Sequence, residues 1–197
     1  MPLAIQRAVL DLITQVTSGA IETTTPEWLN RPGMSECGGR WELICHIYRE
    51  LTDLALPDKM PPREWRKVDG ILKCANRSVR IVEIDESQHF NCYRGKTLLL
   101  YPREIRLAFD RRTWIEHSTF EPRQQSGSWA SPRPPLFSKA GGRHLQRAFR
   151  DALTDILPPD RGFLPTLRIA DFEVNPWIGA GCALERMKEL LDCKLSN

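Results

Sequence analysis

Asp69 and Glu83 stand in two apolar stretches that read as neighbouring strands. The first is Val68-Asp69-Gly70-Ile71-Leu72 and the second runs from Val79 to Phe90. The polar tetrapeptide Ala75-Asn76-Arg77-Ser78 between them is turn chemistry, so the segment predicts a β-hairpin. Side chains alternate along a strand, which puts Ile81, Glu83 and Asp85 on one face and Val82, Ile84 and Glu86 on the other. A carboxylate inside a β-branched run is costly to bury unless a positive group meets it. A hairpin that brings Asp69 beside Glu83 sets two like charges together unless a cation lies between them. A hard divalent ion, Mg²⁺ or Mn²⁺, suits that arrangement, with water and substrate phosphate completing its shell. Asp85 is a candidate further ligand, or else a strand-end residue facing solvent. His89 changes charge near neutral pH and is a candidate general base or phosphate contact, with an ordinary hydrogen-bonding histidine as the alternative. Gln88, whose amide does not titrate, is suited to orienting a water or a phosphate.

Asp69, the hairpin and the run Val82-Glu83-Ile84-Asp85-Glu86-Ser87-Gln88-His89-Phe90 together resemble the restriction-endonuclease-like PD-(D/E)XK superfamily. The nearest branch is the very-short-patch-repair-like one, where an apolar strand ends in Glu-x-Asp-Gly-x-Gln-His. The resemblance spans roughly residues 36 to 100. It implies Mg²⁺ held by Asp69, Glu83 and the main-chain carbonyl of Ile84, with DNA as the partner. It also implies an α/β core: a central mixed sheet flanked by helices. Asp85 stands where the superfamily has a lysine that polarises the attacking water or the phosphate, so Gln88, His89, Lys73 or Lys96 must substitute. The helix before such a hairpin often lends an acid, for which Glu36 and Glu42 are candidates; a helix cap and a solvated helix face are the competing readings. The family further implies phage defence, restriction or DNA repair, as a homodimer or with a partner protein. Two other functions compete: a nucleic-acid-binding module of the same fold without activity, and a metal-dependent phosphoesterase acting on a small substrate.

The chain has 197 residues, 41% hydrophobic and 27% charged, which suits one globular domain with a sizeable core. No apolar run approaches a membrane span and the first residues lack a secretion pattern, so a cytoplasmic protein without membrane contact is expected. The six cysteines form no C-x-x-C pair and read as reduced thiols, with a scattered zinc site as the minor alternative. Net charge is only +3, but 21 of the 28 basic residues are arginine, the better phosphate fork. Between 103 and 150, nine Arg and one Lys face four acids, with Trp114, Phe120 and Trp129 interleaved, which suits phosphate contact and base stacking. A solvated basic loop is the competing reading. Lys73, Arg94, Lys96, Arg143 and Arg147 are the candidate nucleic-acid contacts.

The elements that must position these groups follow from periodicity. Apolar spacing predicts helices over 1–17, 38–54, 143–157 and 179–193, and a short one over 93–100. Residues 18–35 and 118–141 read as loops, the second inside an arginine-rich insertion that spans 91–141. Prolines 57, 61 and 62 exclude helix or central strand before the hairpin. Residues 105–114 fit either a strand or a helix. Residues 166–174 alternate as a strand, and helix 143–157 should turn Arg143, Arg147, Arg150 and Asp151 largely outward.

Overall fold

The computed structural model describes residues 3–62, 66–118 and 131–195. In chain order the elements are α1 (Leu3–Thr17), β1 (Ala20–Glu22), α2 (Glu27–Asn30), α3 (Met34–Cys37), α4 (Trp41–Thr52), β2 (Gly70–Lys73), β3 (Val79–Asp85), α5 (Cys92–Leu99), α6 (Arg111–His117), α7 (Gly142–Ile156), β4 (Leu164–Ala170), α8 (Asp171–Val174) and α9 (Ala183–Leu195). The strands lie in the order β1-β2-β3-β4; the first two pairs are antiparallel and β3 runs parallel to β4. A parallel pair needs a crossover, and the segment containing α5, α6 and α7 supplies it.

The expected hairpin forms. Cys74 accepts from the Arg77 amide and donates to the Ser78 carbonyl, while Arg77 takes a left-handed φ of 64°. Strand alternation then divides the core in two. Leu72, Val82, Ile84, Leu167 and Ile169 face α1 and α9 through Val9, Ile13, Met187 and Leu191. Ile71 and Ile81 face the opposite way, towards α4, α5 and α7, where Ile44, Leu98, Phe149 and Ile156 pack. The result is a mixed α/β fold with a four-stranded mixed sheet between helices. Each such aliphatic or phenyl side chain contributes roughly 1.5–3 kcal/mol on burial. No helix among the described residues is long and apolar enough to cross a membrane.

Several boundaries differ from the sequence expectation. Residues 18–35 contain β1, which pairs with β2, as well as the single turns α2 and α3; three residues are too few to show alternation. Residues 105–114 resolve into a bridge at Ala108 to Leu167 and the start of α6, whose Asp110 caps the amides of Arg112 and Thr113. The last strand stops at Ala170, because Glu173 accepts from the Ala170 amide and turns the chain into α8. In the stretch expected as a basic insertion, Phe109, Trp114, Leu136 and Phe137 belong to the core. Trp114, expected to face nucleic acid, is therefore buried; Phe120 and Trp129 lie outside the described residues.

Candidate active site

The β2–β3 register pairs Gly70 with Val82, and Asp69 lies just before that pair, its carboxylate bonded to the Ile84 amide and near enough to Glu83 for the two charges to interact. The Asp69 carboxylate is held from two sides: Oδ2 accepts from the Ile84 amide at 2.7 Å, and Oδ1 from Gln6 Nε2 of α1 at 2.7 Å. Glu83 is buried, and Arg66 Nη2 lies 3.5 Å from its Oε1. Burial pushes the Asp69 carboxyl up, against the pull of the Ile84 amide. Burial and then the Asp69 charge push the Glu83 carboxyl well above its ordinary value. Arg66 is itself brought down to about 10 by burial. It donates to the Arg150 carbonyl at 2.8 Å and to Thr154 Oγ1, so it bridges the acidic pair to α7.

Asp69, Ile84 and Glu83 line one side of a cleft of about 310 Å³. Gln88 and His89 line it too; Gln88 donates to Glu86 while its own Oε1 is buried without a hydrogen-bond partner. The opposite wall is α7, whose Arg143, Arg147 and Arg150 recur on one helical face. Burial, with the neighbouring guanidiniums of Arg133 and Arg150, lowers the proton affinity of Arg143. Burial lowers that of Arg147 against the pull of Asp151. A wall of crowded, partly desolvated cations gains from an anion in the cleft.

Behind the cleft lies a buried ionic network. His89 Nδ1 is 3.0 Å from Asp151 Oδ2 and 3.5 Å from Asp85 Oδ1. Asp85 accepts from Arg168 Nη1 at 2.6 Å and from Trp114 Nε1 at 2.8 Å. Arg168 also donates to Asp155 at 2.7 Å, and Asp155 takes Arg94 at 2.7 Å and the Tyr101 hydroxyl at 2.8 Å. Burial opposes the Asp151 charge, but His89 and Arg168 outweigh it and hold this carboxyl below the usual range. Ligand atoms of Asp85, His89 and Asp151 lie within 4.8 Å of one another, so this group could hold a metal ion. Both oxygens of Asp85 are, however, already engaged by Arg168 and Trp114.

Of the residues singled out in the sequence, Asp69, Glu83, Ile84, Gln88, His89, Arg143 and Arg147 gather at the cleft. Asp85 lies behind it, buried rather than at a solvated strand end. Arg94 is a correction: it is 1% exposed and engaged by Asp155 and Tyr101, so it cannot reach a phosphate. Lys73 pairs with Glu22 at the far end of the hairpin, and Lys96 with Glu50 on α4; neither lines the cleft. Glu36 caps α3 by accepting from the Gly33 amide, and Glu42 is exposed on α4; neither reaches the site. Besides α7, the helix that reaches it is α1, through Gln6. Asp151, expected outward, is buried. Gln6, Arg66, Arg150, Asp151 and Arg168 were not singled out for the site. Arg168 alone carried a signal, a charge between Leu167 and Ile169 in an apolar strand.

Compared with known proteins, the chain matches no family model, no curated protein and no solved structure.

Proposed function

We propose that the cleft is the active centre of a divalent-metal-dependent nuclease that hydrolyses a DNA phosphodiester, with the ion held by Asp69, Glu83 and the Ile84 carbonyl. The observation that carries this reading is the acidic pair, Glu83 buried and Asp69 half-buried, both carboxyls raised by burial, facing an arginine wall across one cleft. Two neighbouring carboxylates shielded from solvent in part suit a small hard cation, and the orphaned Oε1 of Gln88 leaves an acceptor for an ordered water. The resemblance to PD-(D/E)XK nucleases rests on the same acids, and the helix α7 followed by the strand β4 is compatible with the core that it implies.

A bound divalent cation supplies Lewis-acid stabilisation of the charge that develops on the phosphoryl oxygens. The chain supplies the rest. Arg143 and Arg147 hold the phosphates of the backbone on the α7 wall. In its neutral form, with Nδ1–H donated to Asp151, His89 would take the proton of the attacking water at Nε2. The water oxygen forms the new bond to phosphorus, the bond to the leaving deoxyribose oxygen breaks, and that oxygen takes a proton from solvent. His89 thereby fills the role of the lysine that Asp85 replaces. Restriction, phage defence or repair is the role the family resemblance suggests.

Incubation of supercoiled plasmid with Mg²⁺ or Mn²⁺ tests this. Wild type should nick or linearise it, while Asp69→Ala and Glu83→Ala should leave it intact. Equal product from all three removes the nuclease. Retained DNA binding without cleavage by wild type would favour the inactive binding module instead.

A further inference from the structure

We infer that Arg66 is a catalytic residue of the proposed nuclease, which donates to the scissile phosphate of the bound backbone as charge develops there. The inference rests on the nuclease reading and adds a group to its cleft. Arg66 leads into β2, three residues before Asp69, and lines the same cleft as Asp69, Glu83 and Arg150. It is 5% exposed, and two anchors on α7 fix its guanidinium. Nη1 donates to the Arg150 carbonyl at 2.8 Å and Nη2 to Thr154 Oγ1. Both anchors are neutral acceptors, and they leave Nε–H and the second hydrogen of each Nη for other partners.

The charge on that guanidinium is met only in part. Arg168, also buried, spends Nε, Nη1 and Nη2 on Asp155, Asp85 and Asp151. Arg66 Nη2 stays 3.5 Å from Glu83 Oε1, longer than an ordinary hydrogen bond. Its Nε is buried without a hydrogen-bond partner among the described residues. A buried charge needs a counter-charge in good contact, and a buried N–H needs an acceptor. The shortfall grows once the cleft is loaded. A divalent cation on Asp69 and Glu83 takes up both carboxylate charges, and the positive charge of Arg66 is left over beside them. A phosphodiester carries one negative charge, so it restores the balance and offers oxygens to the guanidinium. Because Nη2 stands beside Glu83, the phosphate it meets is the one under attack, whereas Arg143 and Arg147 meet the backbone nearer the start of α7. A donor fixed in advance needs no reorganisation when the phosphoryl oxygens gain charge, so it favours the transition state over the bound DNA.

Wild type, Arg66→Lys and Arg66→Gln are compared. In Mg²⁺, Arg66→Gln should nick supercoiled plasmid with kcat lowered by roughly 10²–10³-fold and KM little changed, the loss of one transition-state donor. Arg66→Lys, which returns the charge without the fork, should recover part of that loss. By fluorescence anisotropy in EDTA both variants should bind a duplex as wild type does, and by calorimetry both should still take up Mn²⁺. Loss of kcat together with Mn²⁺ binding would make Arg66 a support for Glu83, and a raised KM at unchanged kcat would make it a backbone contact; either overturns the inference. The contact is also read without turnover, in ¹⁵N spectra of His89→Ala, which keeps Arg66 and lacks the proposed base. The Arg66 Nε–H signal, identified by its absence from the double variant with Arg66→Lys, should shift when a short duplex is added in Mg²⁺. A signal that does not move overturns the inference even where the Arg66 variants fold poorly. Wild type that leaves plasmid intact would count against the active centre, and the spectra would still decide whether Arg66 meets a phosphate.

Discussion

At position 83 a carboxyl is buried beside a second acid, with one arginine at 3.5 Å, and each of these facts has a measurable consequence. Replacing it by the neutral isostere, Glu83→Gln, should abolish metal-dependent cleavage without lowering the melting temperature of the metal-free protein, since an amide has no charge to desolvate. A marked loss of stability on that substitution would mean that the Arg66–Glu83 pair holds the fold. The raised pKa also fixes a direction with pH. A carboxyl whose folded value lies above its unfolded one binds more protons in the native state, so stability falls as pH rises from the ordinary carboxyl value through the raised one. Mg²⁺ binds the ionised form, so the stabilisation it gives should grow across that same window. Melting curves against pH, with EDTA and with Mg²⁺, should diverge as pH increases. Asp151 has the opposite sign: its lowered carboxyl contributes stability above the ordinary range that is lost only as pH falls below it. Its second effect is on chemistry. Asp151→Asn removes the carboxylate that orients His89, and should lower kcat by roughly 10²–10⁴-fold with KM little changed. A drop in affinity with unchanged kcat would make Asp151 a structural residue only.

Among the elements, β4 and α7 decide whether the cleft has two walls. They are joined by Arg168, which meets Asp85, Asp151 and Asp155 in a core where no water can replace it. Arg168→Leu leaves those buried carboxylates short of counter-charge and should cost roughly 3–5 kcal/mol in urea denaturation; a loss below about 1 kcal/mol would show that Arg94 suffices. The start of α7 is equally constrained, because a Cβ on Gly142 would lie 2.1 Å from the Phe137 carbonyl. Period and alternation made α1, α4, α7, α9 and the hairpin legible, since each shows its apolar face in its own sequence. Asp69 and Glu83 were legible for the related reason that an acid in an apolar strand demands a partner. The partners were not. Gln6 lies far from the hairpin in sequence, Arg66 stands just before it in a stretch with no periodic pattern, and Asp151 looks like one more charge on a basic helix until β4 brings Arg168 against it. Arg94 misled in the same way, since a helix start rich in polar residues gives no sign that Asp155 and Tyr101 enclose its guanidinium.

Over the whole molecule the net charge of +3 hides a separation that matters more than the total. Asp69 and Glu83 stand on the sheet side of the cleft and Arg143, Arg147 and Arg150 on α7, an arrangement in which a phosphate backbone would meet cations while its scissile group met the metal ligands. Removing Arg143 and Arg147 together should weaken DNA binding for all sequences alike and reduce the slope of log K against log salt by about 2. An unchanged slope would place the backbone elsewhere. The claim beneath all of this is that Asp69 and Glu83, rather than the Asp85, His89 and Asp151 group, hold the ion. Calorimetric titration of Mn²⁺ into metal-free wild type, Glu83→Gln and His89→Ala separates the two positions directly. One ion should bind wild type and His89→Ala and be lost from Glu83→Gln; binding that survives in Glu83→Gln and disappears in His89→Ala would contradict it.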